Sequence, residues 1–484
     1  MSALNVYAST PLLITSGAAV LATTIGLVKP GPVRRHGPAV LSLAGIVAAI
    51  VMSVILWGDR VEAFNGGLRA DRFAMMFNII FLVLAGATIL MASREPAAVD
   101  RRGEYAGLIL IATTGMMLVA GAGDLISIFL GIEILSVALY VLCALAVWRE
   151  GSLESGLKYL IAGAVGGAVL LYGLALLFGA TGSTALAEIG PALAGTSLVD
   201  EPMILGAMVL IGAGLAFKAS AAPFHMWAPD VYQGAPTTVT AFMATATKAA
   251  AFAAFLRLFS GLIPDMQPDW GILLAVLAVA SIVVGNLAAL VQTSMTRMLA
   301  YSSVAQAGYL LIGVATGTLQ GAEALIYYLL AYGVMTMAAF AVVIIREREV
   351  EDGDTIASLT GYGRARPVLG AVLTLAMLSL AGFPPLSGFV GKFMLFGSAV
   401  ESDMAWLAVV GALGSVVSLG YYLRVVTVTW LNGDPGVPPR RMLAVVGPTG
   451  IVAVTLAVAI VALGIFAAPM IDLSGAAAES LIAP

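Results

Sequence analysis

Residues 217–234 read "FKASAAPFHMWAPDVYQG". A lysine, a histidine, two prolines, an aspartate and a tryptophan crowd into a stretch that oily segments flank on both sides. The surrounding chain of 484 residues is 61% hydrophobic and only 10% charged, against about 25% charge in ordinary soluble domains. It has five lysines and two histidines. Polarity this scarce is placed, and the helix breakers beside it ask what kind of segment holds it.

Working outward, runs long enough to cross a bilayer as helices recur from end to end. Fourteen spans are read at 8–28, 38–57, 71–93, 104–121, 124–148, 154–180, 202–231, 237–262, 269–291, 297–317, 321–345, 368–400, 404–430 and 442–468. The fold class is therefore an all-α polytopic membrane protein, and the quoted stretch belongs to span 7. Short connections make neighbouring spans antiparallel. The N-terminus has no basic n-region, so the first span reads as retained. One cysteine, Cys143, lies in an apolar run. With no Cys/His cluster and no glycine-rich nucleotide fingerprint, no metal or redox centre is expected in this chain. A net charge of −4 gives no reason to expect a nucleic-acid partner.

Charge orients the spans. Loops after odd-numbered spans carry fourteen basic residues: Lys29, Arg34, Arg35, Arg94, Arg101, Arg102, Arg149, Arg297, Arg346, Arg348, Arg364, Arg366, Arg440 and Arg441. Loops after even-numbered spans carry only Arg60, Arg69 and Arg72. Basic loops stay cytoplasmic, so both termini are expected on the periplasmic side of a bacterial inner membrane. Arg257 and Arg424 lie toward span ends and are expected to snorkel to the interface.

Lys218, Lys248 and Lys392 fall inside spans, as does Glu133 in "FLGIEILSVALYVL". Left unpaired, these four would cost on the order of 10 kcal/mol on insertion scales. They must pair, face water or neutralise. Taking a lysine out of water favours its neutral form, and a nearby carboxylate favours the charged one. A lysine between those pulls exchanges protons readily, whereas its ammonium has no lone pair for Na⁺. A row of lysines thus suits protons. His225 titrates near neutrality unaided. In span 10, Tyr301, Ser302, Ser303 and Gln306 either line a water path or hold helices together.

Pro223 and Pro229 interrupt span 7, and Pro384 and Pro385 interrupt span 12. Proline removes a backbone donor, and in a membrane the freed carbonyls must find protein or water. Paired interruptions point to inverted repeats. Spans 4–8 (104–262) and 9–13 (263–431) are read as two five-helix copies, flanked by 1–103 and 432–484.

The stretch "FKASAAPFHMWAPDVYQGAPTTVTAFMATATKAAAF", together with "GDLISIFLGIEILSVALYVL" and "SLESGLKYLIAGAVGGAVLLYG", resembles the antiporter-like membrane subunits of respiratory complex I, the proton-pumping NADH–quinone oxidoreductase. The likeness covers essentially the whole chain and falls closest to the subunit N (subunit 2) family. It implies that Glu133 pairs with Lys218, that Lys248 is the central proton carrier, and that Lys392 is the exit-side station. His225 would lie on the hydrophilic axis, with Glu154 and Lys158 as further members. NADH, FMN, iron–sulfur clusters and quinone would belong to the assembled complex and not to this chain. Sister antiporter-like subunits, small membrane subunits and the lipid bilayer would be its partners. Gln233 stands where a glutamate is common, and Thr247 where a proline is frequent; neither touches the charged stations. Two other readings compete. One is a subunit of a multisubunit cation/proton antiporter. The other is a scaffold whose charges only lock helices.

Overall fold

A computed structural model describes residues 5–28, 31–95, 101–194, 201–263, 266–433 and 447–482. The expectations placed on Lys29, Arg440, Arg441 and the start of span 14 lie outside these residues. Twelve helices are long and apolar enough to cross a membrane. They match spans 1–6, 8–11, 13 and 14. The remaining two spans are each a pair of shorter helices, Pro202–Lys218 with Trp227–Gly234, and Pro367–Ala381 with Ser387–Glu401.

Span starts are set by short polar side chains that accept from the orphan donors of the first turn. Asp71 accepts from the Ala74 amide at 2.7 Å, Asp124 from that of Ser127 at 2.6 Å, and Ser294 from that of Arg297 at 3.1 Å. Small residues let backbones approach, the usual device where lipid removes the hydrophobic drive between helices. A Cβ on Gly26 of span 1 would lie 2.6 Å from the Gly103 Cα, at the start of span 4.

Burial ranks the spans. All of the apolar window of span 8 is buried, and 94% of those of spans 10 and 11, against 39% and 28% for spans 1 and 2. Spans 8, 10 and 11 therefore form the centre. Span 8 runs from Thr237 to Ser260 with two π-helical stretches, Met243–Thr247 and Leu256–Ser260. Lys248 follows directly on the first, and the second contains Arg257.

Two expectations, on the end of span 5 and on Arg257, are corrected, and two further elements appear. Span 5 ends at Cys143, five residues short of the sequence reading, because the apolar run continues into a turn that leads to Arg149. The segment after span 14 is a helix, Ala468–Ile482, which packs across spans 3 and 11. There Ser480 accepts from the Phe73 amide at 2.9 Å. The loop after span 2 contains a small antiparallel hairpin, Val61–Ala63 with Leu68–Ala70. Arg257 does not snorkel. It is 4% exposed, pairs with Asp71 at 2.8 Å and donates twice to the Ala120 carbonyl, at 3.0 and 2.8 Å. Its guanidinium also lies 4.6 Å from the Phe73 ring centroid. A paired acceptor set next to the helix removed any need to reach water.

Candidate functional site: a lysine row at two helix breaks

The first half of span 7 ends at Lys218, and Ala219 caps it. The chain then turns through Ser220, at φ 57°, and through Pro223 before helix resumes at Trp227. The backbone groups freed there are met by protein. The Trp227 indole donates to the Phe217 carbonyl at 3.1 Å, the Ala222 amide donates to Ser281 Oγ at 2.8 Å, and Lys248 Nζ donates to the Ala219 carbonyl at 2.7 Å. Contrary to the expectation that it interrupts the span, Pro229 lies within a helix. It occupies the third position of the second half, Trp227–Gly234, within the first turn, where an amide has no intrahelical acceptor to lose.

Span 12 breaks between Ala381 and Ser387. Gly382 caps the first half at φ 91°, a conformation that only glycine adopts without strain. Pro384 and Pro385 follow. Lys392 reaches back from the second half to donate to the Leu380 carbonyl at 3.0 Å and to the Ala381 carbonyl at 3.2 Å. Its ammonium lies 4.6 Å from the Tyr309 ring centroid.

The two breaks thus share one device, in which a buried lysine is bonded to the carbonyls that end the first half-helix. The lysine differs from the one the sequence pointed to at the first break. Lys218 does not face the carbonyls of its own break; Lys248, from the following span, does. Lys248 also donates to the Ser303 carbonyl at 2.7 Å, which ties span 8 to span 10.

Lys218 donates to Ser136 Oγ at 2.7 Å and lies 5.4 Å from the Tyr159 ring centroid. The expected direct pair with Glu133 is not formed. Among the described residues no ion pair within 4 Å joins them. Glu133 is half-buried and turns toward span 6, where a Cβ on Gly167 would lie 2.5 Å from its Oε1. Ser136, three residues further along the same helix, presents its hydroxyl to the lysine instead.

Between Lys248 and Lys392 runs a chain of polar groups on spans 10 to 13. Ser302 Oγ and the Tyr422 hydroxyl are 2.5 Å apart. Gln306 Nε2 donates to Tyr422 and to the Leu380 carbonyl, each at 3.3 Å, and Gln306 Oε1 accepts from Tyr328 at 2.5 Å. Lys392 and Gln306 therefore share one carbonyl. Ser303 Oγ, Tyr332 OH and Thr336 Oγ1 are buried without a protein partner among the described residues. So is His225 Nδ1, whose ring centroid is 6.4 Å from that of Tyr301. Buried polar atoms of this kind are the ones that internal water satisfies.

Glu154 and Lys158 lie apart from this row. Lys158 pairs with Glu154 at 2.7 Å and with Asp230 at 3.1 Å, and Asp230 pairs with Arg297 at 2.8 Å. The Lys158 side chain is 46% exposed and that of Asp230 44%. Glu154, Lys158 and Asp230 rim a polar cavity of about 290 Å³ that Gln233 also lines. Gln233 accepts from Arg297 at 3.1 Å, so the amide oxygen still serves as an acceptor for the guanidinium. Sequence reasoning did not single out Ser136, Tyr328 or Tyr422. Tyr421 and Tyr422 in "LGYYLRVV" were the visible signal, two adjacent phenol hydroxyls inside a membrane span.

A helical membrane protein with two broken spans and a row of buried lysines is the class this geometry defines. The chain belongs to the NADH:quinone oxidoreductase/Mrp antiporter transmembrane family, whose model matches residues 122–418. It is 44% identical over 425 residues to NADH-quinone oxidoreductase subunit N of Trichlorobacter lovleyi, covering 87% of this chain and 86% of that one. A chain of respiratory complex I from Thermus thermophilus superposes with a TM-score of 0.80 at 35% identity, over 96% of this chain and 98% of that one. A chain of the Mrp complex from Dietzia shares the fold, with a TM-score of 0.82 at 23% identity, over 99% of this chain and 98% of that one.

Proposed function

We propose that this chain is a proton-translocating membrane subunit of a respiratory NADH:quinone oxidoreductase in the bacterial inner membrane, with both termini on the periplasmic side. NADH, FMN, iron–sulfur clusters and quinone serve the complex in other subunits, and this chain receives their energy through its neighbours in the membrane. The observation that carries the reading is the lysine row itself. Lys218, Lys248 and Lys392 are all buried, and each donates to neutral oxygens.

In this reading protons arrive at the cavity beside Glu154, Lys158 and Asp230 and pass His225 and Tyr301. Lys218 and Lys248 take them up, and they leave outward from Lys392. Glu133, three residues before the Ser136 that accepts from Lys218, biases Lys218 by its charge. Ser302, Ser303 and Gln306 line the lateral step. Spans 4–8 and 9–13 act as inverted copies, each with one lysine-bonded break.

The scaffold reading calls for lysines locked to carboxylates, and among the described residues none of these three forms an ion pair within 4 Å. The antiporter reading is served less well by relatives called subunit N than by the shared fold alone. The test is Lys248→Ala and Glu133→Ala in the assembled complex, with NADH oxidation and proton pumping measured in membrane vesicles. Loss of pumping with assembly intact is expected. If both variants assemble and pump normally, the relay is refuted; if only assembly fails, the scaffold reading replaces it.

A further inference from the structure

Gln306 is fully buried where four spans meet, and the orientation of its amide is fixed by its neighbours. The Leu380 carbonyl can only accept, so the group 3.3 Å from it is the NH₂. The oxygen then faces the Tyr328 hydroxyl, which donates at 2.5 Å. The same NH₂ donates to Tyr422 at 3.3 Å.

One residue before Ser303, whose carbonyl accepts from Lys248, Ser302 forms a pair of hydroxyls with Tyr422. A hydroxyl donates one proton and accepts another, so it passes protons along. A carboxamide NH₂ only donates. Handing a proton on through it requires the imidic acid form, which is far out of reach at neutral pH. With its NH₂ directed at both Tyr422 and Leu380, Gln306 separates the hydroxyl chain from Lys392, which holds the other lone pair of the Leu380 carbonyl at 3.0 Å.

We infer that Gln306 is the gating residue of the lateral step, a positioning group that blocks transfer from the Ser302–Tyr422 hydroxyls to Lys392 until its amide swings away from Leu380. This rests on the proton-translocating reading above. The three groups around the amide, Tyr328, Leu380 and Tyr422, come from spans 11, 12 and 13, and span 10 carries Gln306 itself. A small shift of the span 12 break moves Leu380 relative to Tyr328 and Tyr422 and releases the amide. Water then joins Tyr422 to Lys392. Tyr328 holds the closed position without lying on the path.

The experiment uses membrane vesicles containing the assembled complex with Gln306→Glu, Gln306→Ala or Tyr328→Phe. NADH oxidation, the proton gradient it builds and the decay of an imposed gradient without NADH are all read. A carboxyl at 306 both accepts and donates, and alanine leaves a polar space for water. Both variants are therefore expected to oxidise NADH, to build a smaller gradient, and to let an imposed gradient decay faster than wild type. Tyr328→Phe leaves Gln306 in place and is expected to move the same way to a smaller degree. It decides the matter if the Gln306 variants do not assemble. Wild-type decay rates in every assembled variant overturn the gate. So does loss of oxidation and pumping together without faster decay, because Gln306 is then an ordinary member of the path. Lys248→Ala in the same preparation separates the two proposals. If it pumps normally, the translocation reading fails, whatever the Gln306 variants do.

Discussion

The clasp between Arg257 and Asp71 gives a prediction with a magnitude. The two side chains are 3% and 10% exposed and 2.8 Å apart, and they join the start of span 3 to the ends of spans 4 and 8 through Ala120. Breaking a buried pair by removing one partner costs about 3–5 kcal/mol, because the other charge is left buried. Asp71 also caps span 3. Asp71→Asn keeps that cap, since asparagine caps as well as aspartate, and removes only the charge. If the clasp opens on the way to irreversible inactivation, 3–5 kcal/mol corresponds to inactivation roughly 10²- to 10⁴-fold faster, at about 1.36 kcal/mol per tenfold. The assay is the half-life of NADH-driven activity of the solubilised complex at a fixed elevated temperature, for Asp71→Asn, Arg257→Met and the double variant. The double variant is expected to be far more stable than the product of the two single effects predicts, because no buried charge is then left without its counterpart. A snorkelling arginine predicts something quite different. Its removal is an ordinary surface change, within about 0.5 kcal/mol. Single variants that inactivate at the wild-type rate, or a double variant whose effect is the simple product, would refute the clasp.

Two further predictions bear on the relay. Lys392→Met should assemble and oxidise NADH while pumping falls, measured as gradient formed per NADH consumed; full pumping would remove Lys392 as the terminal station. Gly167→Ala puts a Cβ 2.5 Å from Glu133 Oε1. It should displace that flexible carboxylate without disturbing assembly, so pumping drops while the amount of complex on native gels stays at wild type. Unchanged pumping would show that the position of Glu133 does not matter.

Much of this protein was legible in its sequence. The span count rests on the need for every backbone group in lipid to be bonded within the segment, which makes long apolar runs unambiguous. The positions of Lys218, Lys248 and Lys392 stood out because a lysine in such a run is costly. The two broken spans were visible through their prolines, though not which proline does the breaking. Pro229 looks like Pro223 in the sequence, yet one lies in a helix's first turn and the other ahead of it.

What the chain did not reveal is which groups meet. Apolar periodicity says nothing about whether Lys218 reaches Glu133 or Ser136, since both lie on the same helix three residues apart and the choice depends on how span 6 packs behind them. The identity of the lysine at the first break was hidden for the same reason. Lys218 adjoins the break in sequence, but Lys248 is the one brought to the Ala219 carbonyl by the packing of span 8 against spans 7 and 10. Arg257 and Asp71 are far apart in the chain and pair only because spans 3 and 8 adjoin. The sequence alone determined the membrane spans, the two that are interrupted and the three buried lysines, because each is dictated locally by the cost of polar groups in hydrocarbon. Only the tertiary structure decided the hydrogen-bond partner of each charge, because those distances are set by helices that meet from distant parts of the chain.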